Sequence, residues 1–314
     1  MTGFLFSRLL LPWNYWLVGL VASTVWLVAS FWGGLEGSWI IENGKTGTTS
    51  WPGYGLVVLN LAAICATDAK WQSLTKGQEE YSLFVPVWLL GLCSLRGYAL
   101  TPDLAASALG FSAFYGLWLL HTVEGHKNYV LAAGMAAGIG CLYFWPWWML
   151  TVFAGSALLV WHDKALKRIM LLGLGFVLPL YYRTAADFWQ AREPIWTKGW
   201  NSPQAWYPEV WGQGIAPSWL PLVGLSAVGV VLHAFRAGLV GRVPRQWQGQ
   251  WVLFALCLPG LWLVWQGEPL LLLYLTLPVW AMWTSRTLHW LQQGWAQDLA
   301  LLAWVVWIVL DLTY

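Results

Sequence analysis

Charge is what this sequence has least of. Only 10% of its 314 residues are Asp, Glu, Lys or Arg, against about 25% in soluble domains. The 16 basic and 14 acidic side chains nearly cancel, to +2. That balance excludes a nucleic-acid binder with a broad basic face. A disordered chain, which needs high charge and low hydrophobicity, is excluded too. Cysteine is scarce. Cys65, Cys93, Cys141 and Cys257 are the only four, each inside an apolar run and none in a C-x-x-C. They read as small buried hydrophobes, not as disulfides or metal ligands. There is no H-E-x-x-H, no His/Cys cluster, no G-x-S-x-G, no Walker loop and no G-x-G-x-x-G. No haem, flavin or nucleotide site, and no His/Cys metal site, is therefore expected. Linkers, low-complexity tails and a soluble domain are also missing from the pattern.

What is abundant is apolar. Hydrophobic residues make up 59% of the chain, including 29 Trp, and mean hydropathy is +0.56. Folded in water, such a chain would expose more apolar surface than water tolerates. The pattern gives eleven candidate spans, at about 13–32, 54–67, 81–95, 104–121, 129–144, 147–161, 169–182, 219–234, 251–265, 269–283 and 299–312. Some are shorter than the usual ~20 residues, but Trp and Tyr at their edges can sit at headgroup level and extend them. The run 13–32 ends without a small-x-small cleavage pattern and reads as a retained span, not a signal peptide. The tight pairs 129–161 and 251–283 each read as a hairpin or a re-entrant element. The expected fold is thus all-α: one polytopic transmembrane helix bundle over 1–314, with nine to eleven spans.

Basic residues set the orientation. With the N-terminus cytoplasmic, eleven basic residues fall inside and five outside. The C-terminus is then periplasmic, and the expected location is a bacterial inner membrane, multi-pass. The two sizeable loops, 33–53 and 183–218, both face outward. Ionisable groups near span ends, among them Asp68, Arg96, His121 and His233, read as snorkelling anchors. The small-residue stretch Gly134-Met-Ala-Ala-Gly138, with Gly173 and Gly175, reads as a surface for close helix packing.

Candidate chemistry lies in the outer loops. Glu36 and Glu42 in the first could act as a general base or hold a divalent cation against a pyrophosphate. No cofactor is assigned beyond that option. The second loop gathers Asp187, Trp189, Arg192, Glu193, Lys198, Trp200, Trp206 and Trp211. Indole faces stack on sugar rings, and the charged groups bind hydroxyls or phosphate. An amphipathic segment lying in the interface is the alternative reading.

The opening Phe4-Leu-Phe-Ser-Arg8 with Pro12-Trp13-Asn14-Tyr15, and the stretch Ala132–Trp148 ending in Leu142-Tyr-Phe-Trp-Pro146, resemble a domain-of-unknown-function family. That family comprises multi-spanning inner-membrane proteins of the Bacteroidota. The resemblance covers about two thirds of the chain and implies a location, not an activity. A second resemblance is architectural. A Gly/Ala-rich helix, an aromatic-Pro break, an apolar helix and the basic turn His162-Asp-Lys-Ala-Leu-Lys-Arg168 look like the core of GT-C-type glycosyltransferases. Those enzymes use polyprenyl-phosphate sugar donors and carry a catalytic acid in the first outer loop. By that analogy Glu36 or Glu42 takes the acidic position. The family's acid is usually an Asp close to the end of the first helix, and this loop has none.

Three functions stay open on the sequence. One is a GT-C-like enzyme acting on a lipid-linked sugar or other polyprenyl substrate. Another is a non-catalytic subunit or scaffold of an envelope complex, with a membrane-protein partner. The third is a flippase or transporter. Membrane lipids are partners in all three, and nucleic acid in none.

Overall fold

In the computed structural model, residues 41–42, 45–46, 51–74, 83–94, 102–161, 165–190, 219–236, 246, 248–255, 269–291 and 294–313 are described. The helices among them are α1 (Trp51–Leu74), α2 (Phe84–Ser94), α3 (Pro102–Glu124), α4 (Lys127–Tyr143), α5 (Trp148–Trp161), α6 (Ala165–Trp189), α7 (Leu220–Arg236), α8 (Pro269–Leu275), α9 (Leu277–Trp290) and α10 (Gly294–Thr313). Residues 248–255 add a further helical stretch. The described fold is all-α but for a two-residue ladder. There β1 (Ile41–Glu42) pairs antiparallel with β2 (Lys45–Thr46), setting Glu42 opposite Lys45.

The helices run past the apolar stretches that announce them. The candidate span 54–67 becomes a 24-residue helix, ~36 Å long at 1.5 Å per residue. The stretch 169–182 becomes the 25-residue α6, ~38 Å long. Residues 129–161 form two helices, α4 and α5, joined by a 3-10 turn at Trp145–Trp147. The aromatic-Pro break thus makes a hairpin corner. The stretch 269–283 divides into α8 and α9 around Thr276. Its hydroxyl donates back to the Leu272 carbonyl (2.6 Å) and accepts from Trp280 Nε1 (2.8 Å). The first span, 13–32, lies outside the described residues.

Packing follows small residues. A Cβ on Gly134 would collide with the Leu172 carbonyl oxygen, and one on Gly175 with that of Leu131. A Cβ on Gly138 would sit 2.5 Å from the Phe176 carbonyl oxygen. So α4 and α6 lie backbone to backbone, as the small-residue stretch predicts. Residue 131 meets 175, and 138 meets 176 and 179, so the two helices run parallel, with α5 making the return in the chain from one to the other. Gly173 differs: nothing stands within 4 Å of a Cβ there. At the α3/α4 crossing a Cβ on Gly110 would sit 2.8 Å from the Gly140 Cα. Hydroxyls join α7 to α9 across the close approach at Gly229. Ser226 donates to the Trp280 carbonyl (2.8 Å), Thr284 to that of Leu222 (3.1 Å) and Thr287 to that of Leu225 (2.6 Å).

The interior is aromatic. Phe111 and Tyr115 of α3, Trp147 of the corner turn, and Trp251 and Phe254 of the 248–255 helix are all buried. Ring centroids lie 4.9 Å apart for Phe111–Trp147 and 4.6 Å for Tyr115–Trp251. Buried indoles need a partner for their N–H. Trp147 Nε1 donates to Ser107 Oγ at 2.7 Å and Trp118 Nε1 to Gln250 Oε1.

The outside is apolar. In α10 the stripe Gln297, Leu301, Trp304, Ile308 is buried, at helical spacing. The remaining arc, including Leu299, Leu302, Val305, Val306, Val309 and Leu310, is exposed. A helix on the surface of a water-soluble domain would carry polar residues there. The same holds for α6, which exposes Leu166, Met170, Leu174 and Val177. Among the described residues, two helical segments, Ala105–Glu124 and Ala165–Trp189, are long and apolar enough to cross a membrane.

Candidate functional site

The outer-loop residues are placed only in part. Glu36, Arg192, Glu193, Lys198, Trp200, Trp206 and Trp211 lie outside the described residues. Glu42 stands in β1. Asp187 and Trp189 are helical, and this corrects their assignment to a loop beginning at residue 183. The helix continues because Arg183 and Asp187 are four residues apart and pair along it. Arg183 Nε lies 3.1 Å from Oδ1 and 3.2 Å from Oδ2 of the carboxylate. Asp187 is 3% exposed, whereas Trp189, two residues on, is 91% exposed. The two therefore point apart. The acid faces inward, while the indole stands with Phe188 on the outside of the helix end.

A second group of ionisable residues lies inside the bundle, and the sequence reading misplaces it. Asp68 (0% exposed) and His121 (1%) are buried among helices, not anchored at a surface. Asp68 sits on α1, with six residues of helix still to follow. From the same helix it acts electrostatically on Cys65, and across the α1/α3 contact on the Tyr115 hydroxyl. Arg286 of α9 acts on that hydroxyl electrostatically as well. The missed signal is local. Ala62-Ala-Ile-Cys-Ala-Thr-Asp68-Ala69 carries no turn residue before or after the acid. The helix should have been carried through it.

His121 links this group to the end of the bundle. Its Nδ1 is 3.3 Å from the His126 carbonyl oxygen and its Nε2 is 3.4 Å from Arg168 Nη1. A neutral ring with its proton on Nδ1 satisfies both, donating to the carbonyl and accepting from the guanidinium. Beyond it, Lys70 and Glu124 pair at 2.7 Å between α1 and α3. Tyr129 donates a second hydrogen bond to Glu124 at 3.0 Å. Among the described residues no three His, Cys, Asp or Glu side chains gather as a metal site would need. Cys141 is buried as expected and Cys65 half-buried, and both are free thiols. The chain matches no protein-family model, no curated protein and no solved structure.

Proposed function

We propose that this chain is a multi-pass integral protein of the bacterial inner membrane. In this reading it is a GT-C-like enzyme acting on a polyprenyl-linked sugar or related lipid-linked substrate at the outer face. One observation carries the proposal: α6. Of the two described helices long and apolar enough to cross a membrane it is the less buried, with 11% of its apolar window covered, and it ends in the inward-facing acid Asp187 held by Arg183. A lipid-linked substrate arrives laterally through the bilayer. A lipid-facing helix that ends in an oriented carboxylate offers it both a track and a polar group. The basic residues Lys70, Lys127, Lys167 and Arg168 lie at the opposite end of the helices, which supports reading that end as the cytoplasmic one.

Native mass spectrometry of protein extracted gently from its own membrane tests this. The expected result is a retained polyprenyl-phosphate lipid that an Asp187→Asn variant no longer holds, with the variant's melting temperature in detergent reporting any loss due to folding alone. A wild type carrying only bulk phospholipid and a stoichiometric protein partner would replace the enzyme with the scaffold reading.

A second reading, a flippase or transporter, is favoured by Asp68. Intramembrane charge is costly and commonly marks an ion or proton path, and this acid is fully buried beside Tyr115. Proton flux in proteoliposomes that Asp68→Asn abolishes would support it. Equal flux in both proteins would remove it.

A further inference from the structure

Helix α1 buries polar side chains and exposes apolar ones. Of its described residues five are buried, and three of those are polar: Asn60, Thr67 and Asp68. Val58 and Leu59, by contrast, are exposed. The three polar residues lie on one side of the helix, seven and eight positions apart. That side meets α3. A Cβ on Gly116 would sit 2.7 Å from Thr67 Oγ1, and Lys70 pairs with Glu124 further along both helices. The two helices therefore run parallel, with 67 level with 116. This register brings Asn60 within about one turn of Ser112, which stands one turn before Gly116 on the same face of α3.

Asn60 is 4% exposed and Ser112 1%. Neither Asn60 Oδ1 nor Ser112 Oγ has a hydrogen-bond partner among the described residues. Polar side chains that hold helices together do find partners in this bundle. Ser226, Thr284 and Thr287 each donate to a carbonyl across the α7/α9 contact. Asn60 and Ser112 do not, so helix packing does not account for them. Polar groups inside a membrane bundle pair with one another or line a path for water and ions. Water is the small partner that suits a lone amide oxygen and a hydroxyl.

We infer that the α1/α3 seam is a hydrated half-channel through which protons reach Asp68. It opens at the partly exposed Lys70–Glu124 pair, the cytoplasmic end in the proposed orientation. It passes Asp68, whose carboxylate takes up a proton from water and returns it to water. It ends at Asn60 and Ser112, the latter near the middle of the 23-residue α3. The other ionisable groups along it are Cys65, Tyr115 and Arg286 of α9. A metal ion would need its oxygen ligands gathered at one point. Here Asn60 and Asp68 are ~12 Å apart along the helix, a spacing that suits a chain of waters. The inference rests on the transporter reading and names the route by which its protons enter.

Two measurements separate the seam from that reading. In a chain with all four native cysteines replaced, Ser112→Cys puts a thiol in the seam. A second chain keeps only Cys141, 3% exposed in α4 and at the same depth, since Gly110 meets Gly140. Infrared spectra after transfer to D2O should show the S–H at position 112 exchanging about tenfold faster than that of Cys141. Equal rates would overturn the half-channel. Asn60→Leu combined with Ser112→Ala removes both unpartnered groups, so the melting temperature in detergent should hold or rise. Proton flux in proteoliposomes should fall about tenfold in that variant. A lower melting temperature with unchanged flux would make the pair a packing contact and overturn the inference. Fast exchange at position 112 in a wild type that passes no protons would overturn the transporter reading alone and leave the hydrated seam standing.

Discussion

At the residue scale, glycines and indoles carry the packing, and each can be tested against a neighbour that lacks the same constraint. Gly134 and Gly173 are both helical and both in small-residue contexts. Only Gly134 faces backbone, the Leu172 carbonyl, which cannot give way as a side-chain tip can. Gly134→Ala should cost about 1–3 kcal/mol by overpacking. Gly173→Ala has open space and should gain about 0.5–1 kcal/mol from helix propensity. Thermal unfolding in detergent compares them, and equal melting temperatures would mean that α4 and α6 do not touch as described. Trp147 offers a second case. Trp147→Phe keeps the aromatic stack on Phe111 but removes the donor to Ser107, a hydroxyl with no exposure. Stranding that hydroxyl should cost about 1–3 kcal/mol. Adding Ser107→Ala should restore part of it, so the pair should be non-additive in a double-mutant cycle.

At the element scale, α10 separates a bilayer from water most directly. Its exposed arc is apolar on every turn from Leu299 to Leu310. Under the membrane reading, Leu302→Lys and Val306→Lys each place a charge near the helix centre, at about 2.5–3.5 kcal/mol on insertion scales. Membrane-integrated yield, measured by carbonate extraction, should fall for each and further for both. If the double variant instead becomes monodisperse in detergent-free buffer, α10 faces water and the reading is wrong. The existence of these helices was legible because apolar runs are long and the interruptions short. Their ends were not. A hydropathy run stops at the first charge, whereas the backbone ladder goes on wherever that charge finds a partner. Asp68 is taken up among helices, and α1 continues to Leu74. Asp187 is taken up by Arg183, and α6 continues to Trp189. The buried position of Asp68 and His121 was illegible for the same reason: it depends on helices distant in the chain, as the His121–Arg168 contact between α3 and α6 shows.

At the scale of the whole molecule, charge is divided unequally between the two ends of the described helices. Lys70, Glu124, Lys127, Lys167 and Arg168 gather where α1 and α3 finish and α4 and α6 start. Arg183 and Asp187 stand at the far end of α6. Its 25 residues extend ~38 Å, more than the ~30 Å hydrocarbon core, so Lys167 and Trp189 should emerge on opposite sides. The proposed orientation makes the Lys167 side cytoplasmic, where anionic lipid and the positive-inside bias coincide. Single cysteines decide it. In a background with Cys65, Cys93, Cys141 and Cys257 replaced, Trp189→Cys should react with a membrane-impermeant maleimide added to intact cells whose outer membrane is permeabilised. Lys167→Cys should react only once the inner membrane is opened. The reverse pattern would invert the bundle and move the proposed substrate site to the cytoplasm. Labelling of both positions from one side would show that α6 lies along the membrane without crossing it, and would remove the lateral track on which the enzymatic reading depends.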